Sequence, residues 1–161
     1  MKILKLAIIS SVVLFGLVFI ISSFMPSSVK VSRATDIDAP YDSVYKYLSD
    51  IRNWEKWNLY VDTFTNRQYP SPTSLTSDQV NINITSVSDS TIKAEWHQKN
   101  TVFTSGYYLV AHDNITTVQW FFDFKVKWYP WEKLASMVYD QQLGPVMEKS
   151  LAKLKEQGLR K

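Results

Sequence analysis

The sequence predicts an α+β domain, a curved antiparallel sheet with a long C-terminal helix laid against one face, preceded by one transmembrane helix. Three observations predict it. Leu6 to Met25 carries no charged residue. After Trp57 the apolar repeat shortens from the helical period of about 3.6 to the strand period of 2. From Trp131 to about Gln157 the helical period returns.

The charge-free run LAIISSVVLFGLVFIISSFM, at about 1.5 Å per residue, makes a helix of roughly 30 Å, the thickness of one hydrocarbon core. A cleaved secretory signal has a shorter apolar core of about 7–15 residues and small residues at the cleavage site. Phe24, Met25 and Pro26 stand there instead, so residues 6–25 are expected to stay as a single-pass anchor in the cell membrane. Lys2, Lys5 and the free amine precede the run, and Lys30 and Arg33 follow it. The charge asymmetry, which Lys30 and Arg33 narrow, favours an N-terminus inside and the domain on the extracytoplasmic side. Residues 1–29 are thus read as anchor and linker, and residues 30–161 as the domain. Pro26-Ser27-Ser28 is so short a link that it would hold the domain close to the lipid surface.

Val29 to Ile37 reads as a strand. Ala39-Pro40 starts a helix with Asp42 in its first turn, where a negative charge suits the helix dipole; Val44, Tyr47, Leu48 and Ile51 form its buried face. A shorter helical piece, Ile51 to Trp57, carries Trp54 and Trp57 three apart. Asn66 to Asp78, with Pro70 and Pro72, reads as a long loop.

Val80, Ile82 and Ile84 alternate with polar residues, a turn falls at Ser88-Asp89-Ser90, and Ile92, Ala94 and Trp96 alternate again. This is an antiparallel hairpin with one apolar face. A third strand covers about Thr101 to Ala111. In the fourth, Val118, Trp120, Phe122, Phe124, Val126 and Trp128 share one parity and Gln119, Asp123, Lys125 and Lys127 the other. In the terminal helix Leu134, Val138, Val146, Met147, Leu151 and Leu154 form a stripe, with a kink or a junction of two helices expected at Gly144-Pro145.

Composition removes several chemistries. The chain has no Cys, two His and four Gly in 161 residues, which excludes thiolate metal sites, Cys nucleophiles and disulfides. The glycines are scattered, so no phosphate-cradling loop can form. His97 and His112 stand in no metal-binding spacing, and no metal or cofactor is expected. The net charge of +3 owes two of its cations to Lys2 and Lys5; what remains is nearly neutral, without the basic patch that nucleic acid requires.

The residues Ile37-Asp38-Ala39-Pro40, Val44, Tyr47-Leu48, Asp50 and Trp54-Glu55-Lys56-Trp57 resemble the opening of the START-like, or SRPBCC, superfamily. The ending Gly144-x-x-Met147-Glu148-Lys149-x-Leu151-x-x-Leu154-Lys155 is similar to the terminal helix of its polyketide cyclase/dehydrase and lipid-transport branch. The resemblance spans residues 30–157 and is specific only at the two ends. It is strongest to bacterial members with one N-terminal transmembrane helix. It implies a helix-grip fold: a seven-stranded antiparallel sheet around the C-terminal helix, with a hydrophobic cavity between them. The branch has no universal catalytic motif to carry over.

On this reading Trp96, Trp120, Phe122, Phe124 and Trp128, with Met137 from the helix, line the cavity. Trp54, Trp57 and Tyr60 lie at its mouth, with Tyr129 and Trp131 near the membrane interface. The same rings could equally be plain core. Glu95, His97 and Asp123 alone suggest acid–base chemistry, but Glu95 and His97 have the parity opposite to Trp96 and fall outside the cavity. The expected function is non-catalytic binding of a hydrophobic or amphiphilic, lipid-like small molecule by a membrane-anchored domain. A cyclase- or hydrolase-like enzyme using the same cavity, and a ligand-free interaction domain with an unknown protein partner, are the alternatives.

Overall fold

A computed structural model of the chain describes residues 2–24, 27–99, 101–127, 130–136, 138–157 and 159. An apolar helix, α1 (Lys2–Ser23), leads into β1 (Ser28–Ile37), α2 (Tyr41–Ser49), a 3₁₀ helix (Ile51–Lys56) and the one-turn α3 (Leu59–Asp62). Six strands follow: β2 (Gln68–Ser71), β3 (Ser74–Thr76), β4 (Asn81–Ser88), β5 (Thr91–Gln98), β6 (Thr101–His112) and β7 (Ile115–Lys125). Helices α4 (Pro130–Ser136) and α5 (Tyr139–Glu156) close the chain. The seven strands form one antiparallel sheet in the order β1-β7-β6-β5-β4-β3-β2. This is the seven-stranded helix-grip arrangement that the resemblance implies.

The expected alternation orders the sheet. Val118, Trp120 and Phe122 on β7, Ile92, Ala94 and Trp96 on β5, and Tyr107 and Leu109 on β6 are all buried on the inner face. Against them pack Val44, Leu48 and Ile51, both tryptophans of the 3₁₀ segment, and Met147, Leu151 and Leu154 of α5. Backbone groups between elements are tied by side chains. Asn58 Oδ1 accepts from the Tyr60 and Val61 amides at the start of α3. Ser150 Oγ on α5 accepts from the Leu59 amide at 3.1 Å, and Trp54 Nε1 donates to the Leu48 carbonyl at 2.8 Å.

Three expectations need correction. The stretch 66–78 is not a loop: it holds β2 and β3, and Pro70 is tolerated because β2 is an edge strand with no partner on its outer side. Strand β7 ends at Lys125, short of Val126 and of Trp128, which lies outside the described residues. The terminal helical region does divide, but after Ser136 and before Tyr139, while α5 runs unbroken through Pro145. The residue that Pro145 deprives of a helical donor, Gln141, lies on the exposed side of α5, where losing one backbone bond costs least.

Two glycines are fixed by close approach. A Cβ on Gly106 would lie 2.6 Å from Phe121 Cζ and 2.7 Å from the Ile92 carbonyl oxygen. Phe121 is a buried ring on the outer face of β7, covered by Tyr108 and by Lys30, whose Nζ stands 4.6 Å from the ring centre. Gly144 on α5 makes room for Arg33, whose guanidinium occupies the place of a side chain there. Arg33, on the inner parity of edge strand β1, donates Nη1 to Asp140 at 2.8 Å and Nε to Glu148 at 2.7 Å, clamping α5 to the sheet.

Gly106→Ala is expected to destabilise the domain by about 1–3 kcal/mol, the usual cost of overpacking, read as a lower denaturation midpoint. The Arg33 guanidinium, by its hydrogen bond and charge, holds the Asp140 carboxyl below its ordinary range. A depressed acid stabilises the fold fully above its unfolded pKa and loses that contribution as pH falls through the folded value. Asp140→Asn should therefore flatten the acid limb of the stability–pH curve below the ordinary aspartate range and leave its slope near neutrality unchanged.

Candidate ligand-binding cleft

Core rings fill the sheet where α5 crosses it, and the filling stops toward the Thr101 and Lys125 ends of β6 and β7. There the inner face opens into an apolar cleft of about 310 Å³. Its sheet wall is Trp96, Phe103, Phe122 and Phe124; Tyr60, Phe64 and Val80, with Leu143 of α5, complete the apolar lining. The rings hold one another. Trp96 meets Phe103 at 5.7 Å and Phe122 at 5.5 Å, and Tyr60 meets Phe122 edge-on at 5.8 Å. Contacts of this kind contribute about 0.5–1.5 kcal/mol each beyond area burial.

Two polar groups fix the wall. Trp96 Nε1 donates to Ser105 Oγ at 2.7 Å, both buried, which orients the indole across the cleft floor. Tyr60 Oη donates to the Leu143 carbonyl at 3.4 Å, and burial pushes the phenol up to about 12. Tyr60 is the only titratable side chain on this wall among the described residues, and it stays neutral throughout the physiological range. Gln98 adds one uncharged amide at the rim.

A second, wider hollow of about 660 Å³ adjoins the first and shares Phe103 and Phe124 with it. Those two rings, 5.1 Å apart, are the partition. Its remaining lining is mixed: Val102, Trp131 and Tyr139 beside Lys125, Lys127 and Glu132. Lys127 Nζ lies 3.9 Å from Glu132.

The structure separates the sequence-derived candidates. Trp96, Phe122, Phe124 and Tyr60 border the apolar cleft. Trp120, Trp54 and Trp57 do not; each is wholly buried. The mouth position expected for Trp54 and Trp57 is therefore corrected. The 3₁₀ turn tucks both indoles under the sheet, where Trp54 meets Tyr107 at 5.4 Å and Trp57 meets Trp120 at 5.5 Å, edge to face. Trp128, Tyr129 and Met137 lie outside the described residues. Glu95 and His97 face outward as their parity requires, 3.4 Å apart and half exposed, and Asp123 sits on the same outer side, in register with Lys30. Among the described residues no three His, Asp or Glu side chains gather as metal ligands would.

Sequence reasoning missed Phe103, Phe64 and Leu143. Phe103 had a signal, the odd parity it shares with Tyr107 and Leu109 on β6. Phe64 and Leu143 reach the cleft only because α3 folds back onto α5.

A seven-stranded antiparallel sheet, helices on one face and an apolar hollow between them define a START-like, helix-grip protein. The chain belongs to the polyketide cyclase/dehydrase and lipid-transport family, whose pattern it matches over residues 28–158. Solved structures share the fold. A START superfamily protein from Mycobacterium smegmatis is 17% identical, with a TM-score of 0.59 over 79% of this chain and 94% of that one. A truncated norcoclaurine synthase from Thalictrum flavum is 11% identical, with a TM-score of 0.56 over 79% of this chain and 92% of that one. A protein of the dynemicin biosynthetic locus is 18% identical, with a TM-score of 0.56 over 79% of this chain; the chain spans 46% of that protein's length. No curated protein matches the sequence.

Ser105→Ala removes the acceptor of a buried indole N–H, a loss that costs about 1–3 kcal/mol. Thermal unfolding should fall accordingly, and Ser105→Thr, which keeps the hydroxyl, should recover part of the loss.

Proposed function

We propose that this chain is a membrane-anchored, single-pass protein whose domain, residues 30–161, holds a hydrophobic or amphiphilic lipid-like molecule in the cleft between sheet and α5 and performs no catalysis. The observation that carries the reading is the aromatic cleft itself. Its volume lies at the small end of the range for small-molecule sites, roughly 300–1,000 Å³, and its wall is apolar apart from Tyr60, Gln98 and backbone. Trp96, Phe122 and Phe124 supply ring faces, and Tyr60 supplies the nearest hydroxyl.

The same wall disfavours acid–base chemistry in the inner cleft. A general acid or base needs a pKa near the working pH, and the Tyr60 phenol is raised away from it. Anchoring rests on α1, which is long and apolar enough over Ile3–Ser23 to cross a membrane. Apart from Ser22, its described side chains are exposed or half exposed along its whole length, as a helix surrounded by lipid would be. The charge asymmetry around it supports an extracytoplasmic domain.

Leu143→Trp tests the reading. It fills the cleft from the half-buried α5 side, so denaturation midpoints should change little. Lipid extracted from the purified full-length protein and identified by mass spectrometry should be present at near one molecule per chain in the parent and lost in the variant. Equal lipid in both, or none in the parent from several expression hosts, rejects the cleft as a binding site.

A further inference from the structure

The end of α1 does not float free of the domain. Lys133 on α4 is buried and donates Nζ to the Ser22 carbonyl at 2.8 Å, at the last turn of α1. Helix α4 is also the helix that supplies Trp131 and Glu132 to the wide outer hollow. The outer hollow, α4 and the C-terminal end of the apolar helix therefore share one end of the molecule. That end is the Thr101 and Lys125 end of β6 and β7. The opposite end of those strands, at the His112–Ile115 turn, is roughly 35 Å away at about 3.3 Å per residue.

The most exposed apolar side chains outside α1 lie at the same end: Phe24 is 86% exposed, Trp131 60% and Val102 53%, with Val138 at 41%; Val87, Val110 and Ile115, each on a strand, are exposed singly elsewhere on the sheet and include no aromatic ring. Val102 and Trp131 line the outer hollow, Val138 adjoins its Tyr139, and Phe24 directly follows α1. Aromatic rings with a polar edge settle at the headgroup level of a bilayer, and Trp131 stands where α1 would leave the hydrocarbon. Lys125 and Lys127 flank the hollow, against a single acid, Glu132. Their excess positive charge complements anionic headgroups.

Building on the proposed lipid-binding role of the cleft, we infer that the outer hollow is a bilayer-facing mouth: α4 lies in the headgroup region, and an anionic amphiphile passes sideways from the leaflet into the domain. Its head stays beside Lys125 and Lys127. Its tail passes the partition, which Phe103 and Phe124 open by turning apart from their 5.1 Å contact, into the cleft floored by Trp96 and Phe122. The occupant of the exposed α4 surface is the same leaflet that α1 spans, and the lysine bridge to Ser22 sets the angle between them. The two lysines select the head; the small inner cleft admits one tail.

The chain has no Cys, so single-cysteine labelling of the full-length protein tests this without background. Trp131→Cys and His112→Cys, both at exposed sites, are labelled with bimane and reconstituted in phosphatidylcholine–phosphatidylglycerol vesicles carrying a headgroup-level spin-labelled lipid. Strong quenching at position 131 and none at 112 is expected; no quenching at 131, or equal quenching at both, overturns the inference. Dansyl-labelled lysophosphatidylglycerol is then supplied either in the protein's own vesicles or from the aqueous phase on cyclodextrin, and loading is read as tryptophan-to-dansyl energy transfer. Loading should be faster from the vesicle. Loading that is no faster from the vesicle overturns the bilayer route and leaves the cleft reading standing, whereas no loading by either route removes both. Lys125→Ala should lower capture of the phosphatidylglycerol-headed probe by roughly fivefold relative to its choline-headed counterpart, the effect of one basic residue near an anionic surface; an unchanged ratio overturns the assignment of the head to the lysines.

Discussion

The domain depends on the burial of one aromatic surface that runs without interruption from the 3₁₀ helix across β5, β6 and β7. Trp54 touches Trp96 and Tyr107; Tyr107 touches Trp57 and Trp120; Trp120 touches Phe122, and Phe122 touches Phe124. Because the side chains of a strand alternate, this surface forms only if every strand keeps its register. A slip of one residue would send the whole set to solvent. The surface is also longer than α5 can cover. Where Met147, Leu151 and Leu154 lie over it the rings are core, and beyond Leu143 they are the wall of a cleft.

Keeping the cleft open requires a fixed distance between sheet and helix at its edge. Arg33 sets that distance. It reaches from β1 over Gly144 to two carboxylates a little over two helical turns apart, Asp140 and Glu148, so that α5 is held to the sheet by a charged strut. Exposed pairs contribute little stability individually, about 0–1 kcal/mol. The importance of this one lies in position: a shared guanidinium fork fixes geometry as well as energy. Tyr60 does the same on the other flank through the Leu143 carbonyl.

Polar cost is confined to the interior. Trp57 Nε1, Trp120 Nε1 and the Tyr107 hydroxyl are buried with no hydrogen-bond acceptor placed to receive them, and burial raises the Tyr107 phenol well above its ordinary value, against a smaller opposing pull from Asn58. The cleft, by contrast, leaves almost no polar atom without a partner on its wall. A molecule entering it loses little by displacing water and gains ring contact, the physical profile of a site for an apolar tail.

Much of this was legible in the sequence where one residue type repeats at a period the backbone imposes. The absence of charge from Leu6 to Met25 determined the apolar helix, and the parity of β5 and β7 determined which of Trp96, Glu95, Trp120, Phe122 and Asp123 face inward. Scattered glycines and absent cysteine narrowed the chemistry. The tertiary structure alone decided the rest. Two prolines hid β2 and β3, whose strand character comes from pairing with β4 rather than from their own residues. Trp54 and Trp57 sit three apart on a short segment, a spacing that suits a mouth or a core equally; the fold of that segment under the sheet chose core. The division between core and cleft along a single aromatic stripe depends on where α5 begins to cover it, and the contact of α4 with α1 joins residues more than a hundred positions apart in sequence. Local periodicity is written in neighbouring residues, whereas cavities are made by what distant elements leave unfilled.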